Sequence, residues 1–129
     1  MFESLDFIYV PTGDVDAAAA HHVGALGAEP LWTVRAMDTI VAALRVSSIG
    51  PQILLSGHLE GDRPVLVYRV ADYQQTLHSL RDRGLTDIRE LEIPHGPCAA
   101  FGLDGDQRYA VYELTRTHAD DHFAGRFDP

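Results

Sequence analysis

Seven histidines are the first residues to weigh, because imidazole is the side chain best suited to bind a metal or pass a proton near neutral pH. His21 and His22 adjoin on a helical stretch. Neighbouring helical side chains diverge by about 100°, so one ion cannot readily take both; one partly buried and one solvated ring are expected. His78 falls on the exposed side of a second helix. His95 lies in the turn IPHGP, where Pro94 and Pro97 restrict the backbone. His118 and His122 belong to a polar tail. His58 follows the apolar run LLS and could overhang a cavity mouth as a general acid or base, or simply sit in a surface linker. Glu113 is the carboxylate to test beside it. Arg69 and Arg45 fall on strand-like runs; a guanidinium aimed into a pocket seeks a carboxylate or phosphate, whereas one lying along the sheet keeps its head in water. Cys98 is a poor partner for His95 in nucleophilic catalysis, since Gly96 and Pro97 turn the chain between them and no third orienting group follows.

The elements that must position these residues occur twice. FIYVPTGDVDAAAAHHVGALG, from Phe7 to Gly27, is an apolar run, an Asp, a helical stretch and a Gly. VLVYRVADYQQTLHSLRDRG, from Val65 to Gly84, repeats that order. Asp14 follows Phe7 by the same step as Asp72 follows Val65. Self-similarity of this length means two copies of one folding unit sharing a core. Leu5 to Val10 and Val65 to Val70 read as strands. Asp14 and Asp72 are N-caps, and Gln75 completes a capping box. Val15, Ala19, Val23 and Leu26 form one helical stripe, and Tyr73, Leu77 and Leu80 the other. Gly27 and Gly84 end the helices. Leu31 to Arg35 and Thr39 to Val46 read as a hairpin around Ala36 to Asp38, and Gln52 to Ser56 as a further strand. Ile88 to Ile93, Cys98 to Leu103 and Gln107 to Thr115 are the matching strands of the second unit, with a turn at Asp104 to Asp106. Repeat one therefore spans 1–57 and repeat two 64–117, joined by the turn-rich GHLEGDRP. Residues 118–129 form a C-terminal arm.

Composition bounds the functional classes. The 129 residues are 46% hydrophobic and 22% charged, as in an ordinary globular domain. A net charge of −9, with arginine as the only strong base, speaks against nucleic acid and anionic membrane as partners. One cysteine leaves no intramolecular disulfide and suits a reducing compartment. The N-terminal MFESLDFIYV lacks the pattern of a secretion signal, and no apolar run approaches the roughly 20 residues of a membrane span. A cytoplasmic location is expected. No G-x-x-x-x-G-K-[ST], G-x-G-x-x-G or G-x-S-x-G motif is present.

Two βαβββ units in a chain of this length resemble the vicinal oxygen chelate superfamily, which includes glyoxalases, bleomycin-binding resistance proteins and extradiol dioxygenases. LDFIYVPTGDVDAA, HLEGDRPVLVYRVADY and GPCAAFGLDGDQRYAVYELTR carry the resemblance, the last resembling an actinobacterial glyoxalase-like branch. The resemblance implies an α/β (α+β) glyoxalase-like fold, with a curved mixed sheet around a cavity and helices outside. Enzymes of this superfamily hold a divalent metal through His, Gln or Glu on the first and last strands of each unit. Carried over, those positions fall at Phe7, Val65 and Ala110, with the fourth near Leu55 or Ser56. Phe, Val and Ala offer a metal no lone pair, so no metal and no cofactor are expected there.

Strand alternation extends the cavity face from Phe7 to Leu5 and Tyr9, from Val65 to Val67 and Arg69, and from Ala110 to Arg108 and Tyr112. Trp32 and Phe101 could line the pocket or fill the core. Glu113 falls on the opposite face unless a β-bulge reverses it. The candidate ligand-binding residues are thus Phe7, Tyr9, Trp32, Leu55, His58, Val65, Val67, Arg69, Phe101, Arg108, Ala110 and Tyr112. The expected function is metal-free binding and sequestration of a small, mostly apolar or aromatic molecule such as an antibiotic or metabolite. The alternative is a lyase, isomerase or dioxygenase with displaced ligands or metal-free acid–base chemistry. A two-fold homodimer with the arm near its interface is expected, since free sheet edges invite pairing.

Overall fold

The computed structural model describes residues 2–36, 38–57, 62–103 and 107–129. The first unit is β1 (Phe2–Pro11), α1 (Val15–Leu26), β2 (Glu29–Ala36), β3 (Thr39–Arg45) and β4 (Gln52–Ser56). The second is β5 (Val65–Val70), α2 (Tyr73–Asp82), β6 (Arg89–Ile93), β7 (Gly96–Gly102) and β8 (Arg108–Tyr112). A short α3 (Ala119–Phe123) ends the chain. The sheet runs β2-β3-β4-β1-β5-β8-β7-β6. Within each unit the first and last strands pair in parallel, and β1 and β5 join the units antiparallel. The result is the mixed, curled α+β sheet that the repeat implies.

Both helices start as their sequences dictate. Asp14 accepts the Ala17 N–H at 3.0 Å, and Asp72 accepts the Gln75 N–H at 3.0 Å. Gly27 closes α1 in the left-handed region at φ 67°. The apolar stripe of α1 is narrower than its periodicity suggests. Val15 is buried and Ala18 and Ala19 pack beside it, while Val23 and Leu26 stay exposed. Glu113, directly after β8, turns to the helix side and accepts the Tyr73 N–H at 2.8 Å with Oε1. It satisfies an orphan donor at the start of α2.

Three apolar clusters divide the sheet by face. Val15, Ala28, Ala42, Leu44 and Leu55 pack together beneath α1. Val70, Tyr73, Leu77, Ala99, Phe101 and Val111 do so beneath α2. The opposite, concave face gathers Phe7, Trp32, Ala43, Leu54, Val65, Val67, Ala110 and Tyr112. Leu55 and Phe101 therefore belong to the helix-covered side and not to the cavity face. Phe101 pairs with Tyr109 while its neighbour Ala100 faces Ala110, so alternation turns Phe101 outward.

The arm docks on its own chain. Gly125 donates to the Leu31 carbonyl at 2.9 Å, Thr33 to the Arg126 carbonyl at 2.7 Å, and Asp128 to the Thr33 carbonyl at 3.0 Å. These bonds cover the β2 edge, which would otherwise present unpaired backbone. The Phe123 ring lies 5.3 Å from the Trp32 ring and closes one end of the concave face, while Phe127 stays exposed. Trp32 is the sole tryptophan, so its emission reports this packing. Phe123→Ala is expected to remove about 2 kcal/mol of stability, since the ring is only half buried. It should also shift Trp32 emission to the red. Unchanged emission would place Trp32 out of contact with the arm.

Candidate functional site

The site forms where β1 breaks its alternation. Leu5 pairs with Tyr68 and Phe7 with Val67, so Asp6 is an extra residue between them. A bulge of this kind re-aims side chains. Leu5, expected to face inward, pairs with Tyr68, whose ring packs at 5.3 Å on the helix-side residue Phe2. Asp6 takes the inward place beside Phe7.

Asp6 is the hub of a partly buried polar network. Its Oδ2 accepts from Arg69 Nε at 2.8 Å and from the Tyr112 hydroxyl, and its Oδ1 accepts from Ser4 Oγ at 2.6 Å. Burial raises the Asp6 pKa, but the hydrogen bonds from Ser4, Tyr112 and Arg69 outweigh it and hold the carboxyl below its usual range. Burial, reinforced by the Asp6 charge, pushes the Tyr112 hydroxyl well up. The Asp6 bond raises Arg69. Arg69 and Tyr112 were legible as inward residues from strand parity. Asp6 was not.

His95 is buried against this network, with its ring 4.6 Å from Phe7 and 6.0 Å from Tyr112. The chain after β8 straps its turn. The His95 carbonyl accepts from the Thr115 and Arg116 N–H groups at 3.0 and 3.1 Å. Gly96 lies so close to this strap that a Cβ there would stand 2.1 Å from the Glu113 carbonyl. Asp6, Phe7, Gln52, Arg69, His95 and Tyr112 border a cleft of about 200 Å³, and Leu114 and Arg116 line it too. Arg116 bonds the Ile93 carbonyl at 2.8 Å and Glu92 at 2.9 Å. Gln52 Oε1 is buried there and accepts no hydrogen bond.

The remaining expected site residues lie elsewhere. Phe7, Val65, Val67, Ala110 and Trp32 share the concave face but pack against one another as core, with Tyr9 at the margin. Only Phe7 of that group also borders the cleft. Arg108 stands opposite Val65. Arg45 reaches Glu29 at 3.7 Å, and His78 reaches Asp82 at 3.3 Å; both histidine and arginine heads are exposed. His22 Nδ1 meets the Ala18 carbonyl at 2.7 Å, and His21 is exposed. His58 lies outside the described residues. Cys98 is buried, and burial pushes its thiol up to about 12, so it is a weak nucleophile.

The superfamily's metal does not fit the positions that would hold it. Gln52 stands opposite Phe7 and Arg108 opposite Val65, so the counterpart of Ala110 in the first unit is Leu54, and not Leu55 or Ser56. The four positions are thus Phe7, Leu54, Val65 and Ala110, all within one apolar cluster. None can donate a lone pair. Among the described residues no group of three or more His, Cys, Asp or Glu side chains could hold a metal ion.

No protein-family model and no curated protein sequence matches the chain. Solved structures do. A methylmalonyl-CoA epimerase from Mycobacterium tuberculosis superposes with a TM-score of 0.75 at 19% identity, covering 92% of each chain. A methylmalonyl-CoA epimerase in complex with methylmalonyl-CoA and NH4+ gives 0.73 at 13% identity, over 90% of this chain and 97% of that one. A Streptomyces coelicolor methylmalonyl-CoA epimerase variant in complex with 2-nitronate-propionyl-CoA gives 0.71 at 14% identity, over 89% and 99%. At these identities the likeness is one of fold alone: the chain shares with those epimerases the curled, glyoxalase-like α+β sheet.

Proposed function

We propose that the chain binds a small organic molecule in the cleft between Asp6, Gln52, Arg69 and His95, without a metal at the superfamily's usual positions. One observation carries this reading. The Asp6 carboxylate accepts from three side chains, and its arrangement holds the Arg69 head at a cleft that also contains a buried, unused acceptor on Gln52. Structural ion pairs do not need such a cleft beside them. The ligand is more polar than an aromatic antibiotic, because the apolar concave positions are already filled by Phe7, Val65, Val67, Ala110 and Trp32. The cleft is smaller than the range usual for drug-sized ligands, which points to a metabolite of few atoms. The test is to purify the chain gently, denature it and identify released small molecules by mass spectrometry. One compound retained by the natural chain and absent from Arg69→Gln supports the reading. Equal recovery from both places the ligand elsewhere.

A second reading is an isomerase, favoured by the epimerases that share the fold. An epimerase must take a proton from carbon and return it. The hydrogen bonds that hold Asp6 below its usual range make it a weaker base, and burial makes the Tyr112 hydroxyl a weaker acid. His95 is the remaining side chain of the cleft suited to the task. Incubation with methylmalonyl-CoA in deuterated water is the discriminating assay. Deuterium incorporation lost in His95→Gln would favour the isomerase; exchange no faster than in buffer would leave binding as the function.

A homodimer belongs to the same proposal. The arm occupies the β2 edge, so pairing of copies would use β6 or an outer face. Sedimentation equilibrium showing a monomer at tens of micromolar (roughly where a standard-size interface still forms) would remove it.

The Asp6 network also sets a pH dependence. A carboxylate whose pKa is depressed on folding stabilises the fold above its unfolded value, and that contribution is lost as pH falls through the folded value. Asp6→Asn is therefore expected to lower stability by about 1–2 kcal/mol at pH 7, discounted because the Arg69 side chain is 40% exposed. As pH falls below the ordinary carboxylate range, through the depressed folded value of Asp6, the difference from the natural chain should shrink toward zero. Urea titrations across that range check it; a constant difference would mean that Asp6 acts through packing and not through charge.

A further inference from the structure

We infer that the cleft is built for a short hydroxycarboxylate, a carboxylate and a hydroxyl carried on a small carbon skeleton; this rests on the reading of the cleft as a binding site. Three features of the cleft each select one part of such a molecule.

The first is Arg69. Its Nε is pinned on Asp6 at 2.8 Å, and among the described residues its guanidinium meets only Asp6 and Tyr112. A guanidinium has five donors in a planar fork. Holding Nε leaves the terminal nitrogens, on the half-exposed end, to meet a second anion, and their geometry matches the two oxygens of a carboxylate. The pinned fork has also lost its rotamer freedom in advance, which favours binding.

The second is Gln52. Its buried Oε1 accepts nothing. A buried acceptor without a donor is rare and calls for a partner. A ligand hydroxyl can donate to it; a bare carboxylate cannot. Gln52 and Arg69 stand on β4 and β5, one strand to either side of β1. Adjacent strands are about 4.8 Å apart, so a molecule lying over β1 can reach both side chains from opposite ends.

The third is apolar surface in the same cleft. The Phe7 ring and Leu114 border the same cleft. They offer a carbon skeleton contact that an inorganic oxyanion cannot use. A divalent cation is disfavoured by the Arg69 charge on the cleft wall.

Isothermal titration calorimetry on the full chain tests this with lactate, propionate, lactamide and inorganic phosphate. Lactate carries both groups. Propionate lacks the hydroxyl, lactamide lacks the charge, and phosphate lacks the carbon skeleton. Lactate is expected to bind roughly tenfold or more tightly than each of the others. Gln52→Leu should erase its advantage over propionate, and Arg69→Gln its advantage over lactamide. Arg69→Lys, which keeps the charge and loses the fork, should weaken lactate without abolishing it. Circular dichroism melts show that each variant folds. Equal affinity for lactate and any one comparator overturns the inference, as does lactate binding untouched by Arg69→Gln, or no lactate binding at about 10 mM, the weak end for a ligand of this size. A chain that retains a co-purified molecule through Arg69 yet ignores lactate loses this inference and keeps the cleft as its binding site. A chain that does neither loses both.

Discussion

Gly96→Ala is expected to destabilise the chain by about 3–5 kcal/mol, from the sum of overpacking and backbone strain. Two features add. A Cβ at this position would lie 2.1 Å from the Glu113 carbonyl and 2.9 Å from Thr115 Oγ1, and the first of these is backbone that cannot swing aside. The residue also has φ +152°, where an L side chain is strained. For a chain of this size the melting temperature should fall by roughly 10–20 °C. The consequence reaches the cleft, because the strap that Gly96 admits is the one whose Thr115 and Arg116 amides hold the His95 carbonyl. Any ligand bound beside His95 should be lost even where the variant still folds. Gly24→Ala is the matched control. Gly24 lies within α1 with open space where a methyl group would stand, so the change should stabilise by about 0.5–1 kcal/mol. Calorimetric melts of both variants check the pair; a Gly96→Ala chain as stable as the natural one would mean that the β6–β7 turn is not packed under the strap.

Ala110→Glu is expected to be of similar severity, costing about 4 kcal/mol or more. Ala110 is 3% exposed and sits between Phe7, Val67 and Tyr112 in the concave cluster. The introduced carboxylate would enter an apolar cluster, where burying a charge is costly. It would place a ligating side chain on the concave face, yet zinc should not rescue it, because Phe7, Leu54 and Val65 supply no ligand. Adding His at Phe7 and Val65 compounds the loss, since both are buried and the orienting outer shell is missing. Melting curves with and without zinc decide it. Full recovery with one equivalent of zinc would show that a metal geometry persists in the fold.

The repeat was legible because its markers are local. Phe7 and Val65 precede Asp14 and Asp72 by one spacing, and each Asp caps a helix as its chemistry requires. Strand parity then brought Phe7, Val65, Val67, Ala110 and Tyr112 to one face, which is where they cluster. Parity failed where the chain inserts a residue. The bulge at Asp6 shifts Leu5 away and Asp6 inward, and nothing in SLDFIYV marks it, since Asp at a strand end reads as a solvated residue. Leu54 and Leu55 are identical side chains, so only the pairing of Gln52 with Phe7 tells which of them faces inward. Phe101 was ambiguous because its face depends on the register of β7 against β8, where it stands opposite Tyr109. His95 looked like a turn residue because Pro94, Gly96 and Pro97 surround it. The glycine was the available signal, as a sharp turn with Gly between two prolines often admits a close backbone approach. The arm was harder still. Its docking depends on backbone hydrogen bonds to β2, which any residues could make, and only Phe123 among its aromatic residues packs against the concave cluster.

In this chain the polar side chains gather at the Asp6–Arg69–Tyr112 cleft, while the concave positions Phe7, Leu54, Val65 and Ala110 are apolar and offer a metal no ligand. Elemental analysis of the full chain, purified without chelator and dialysed, tests that claim most directly. The expected result is zinc, nickel, iron, cobalt and manganese each far below one equivalent per chain, unchanged in Asp6→Asn. One equivalent of any of them, surviving dialysis and lost on His95→Gln or Gln52→Leu, would contradict it.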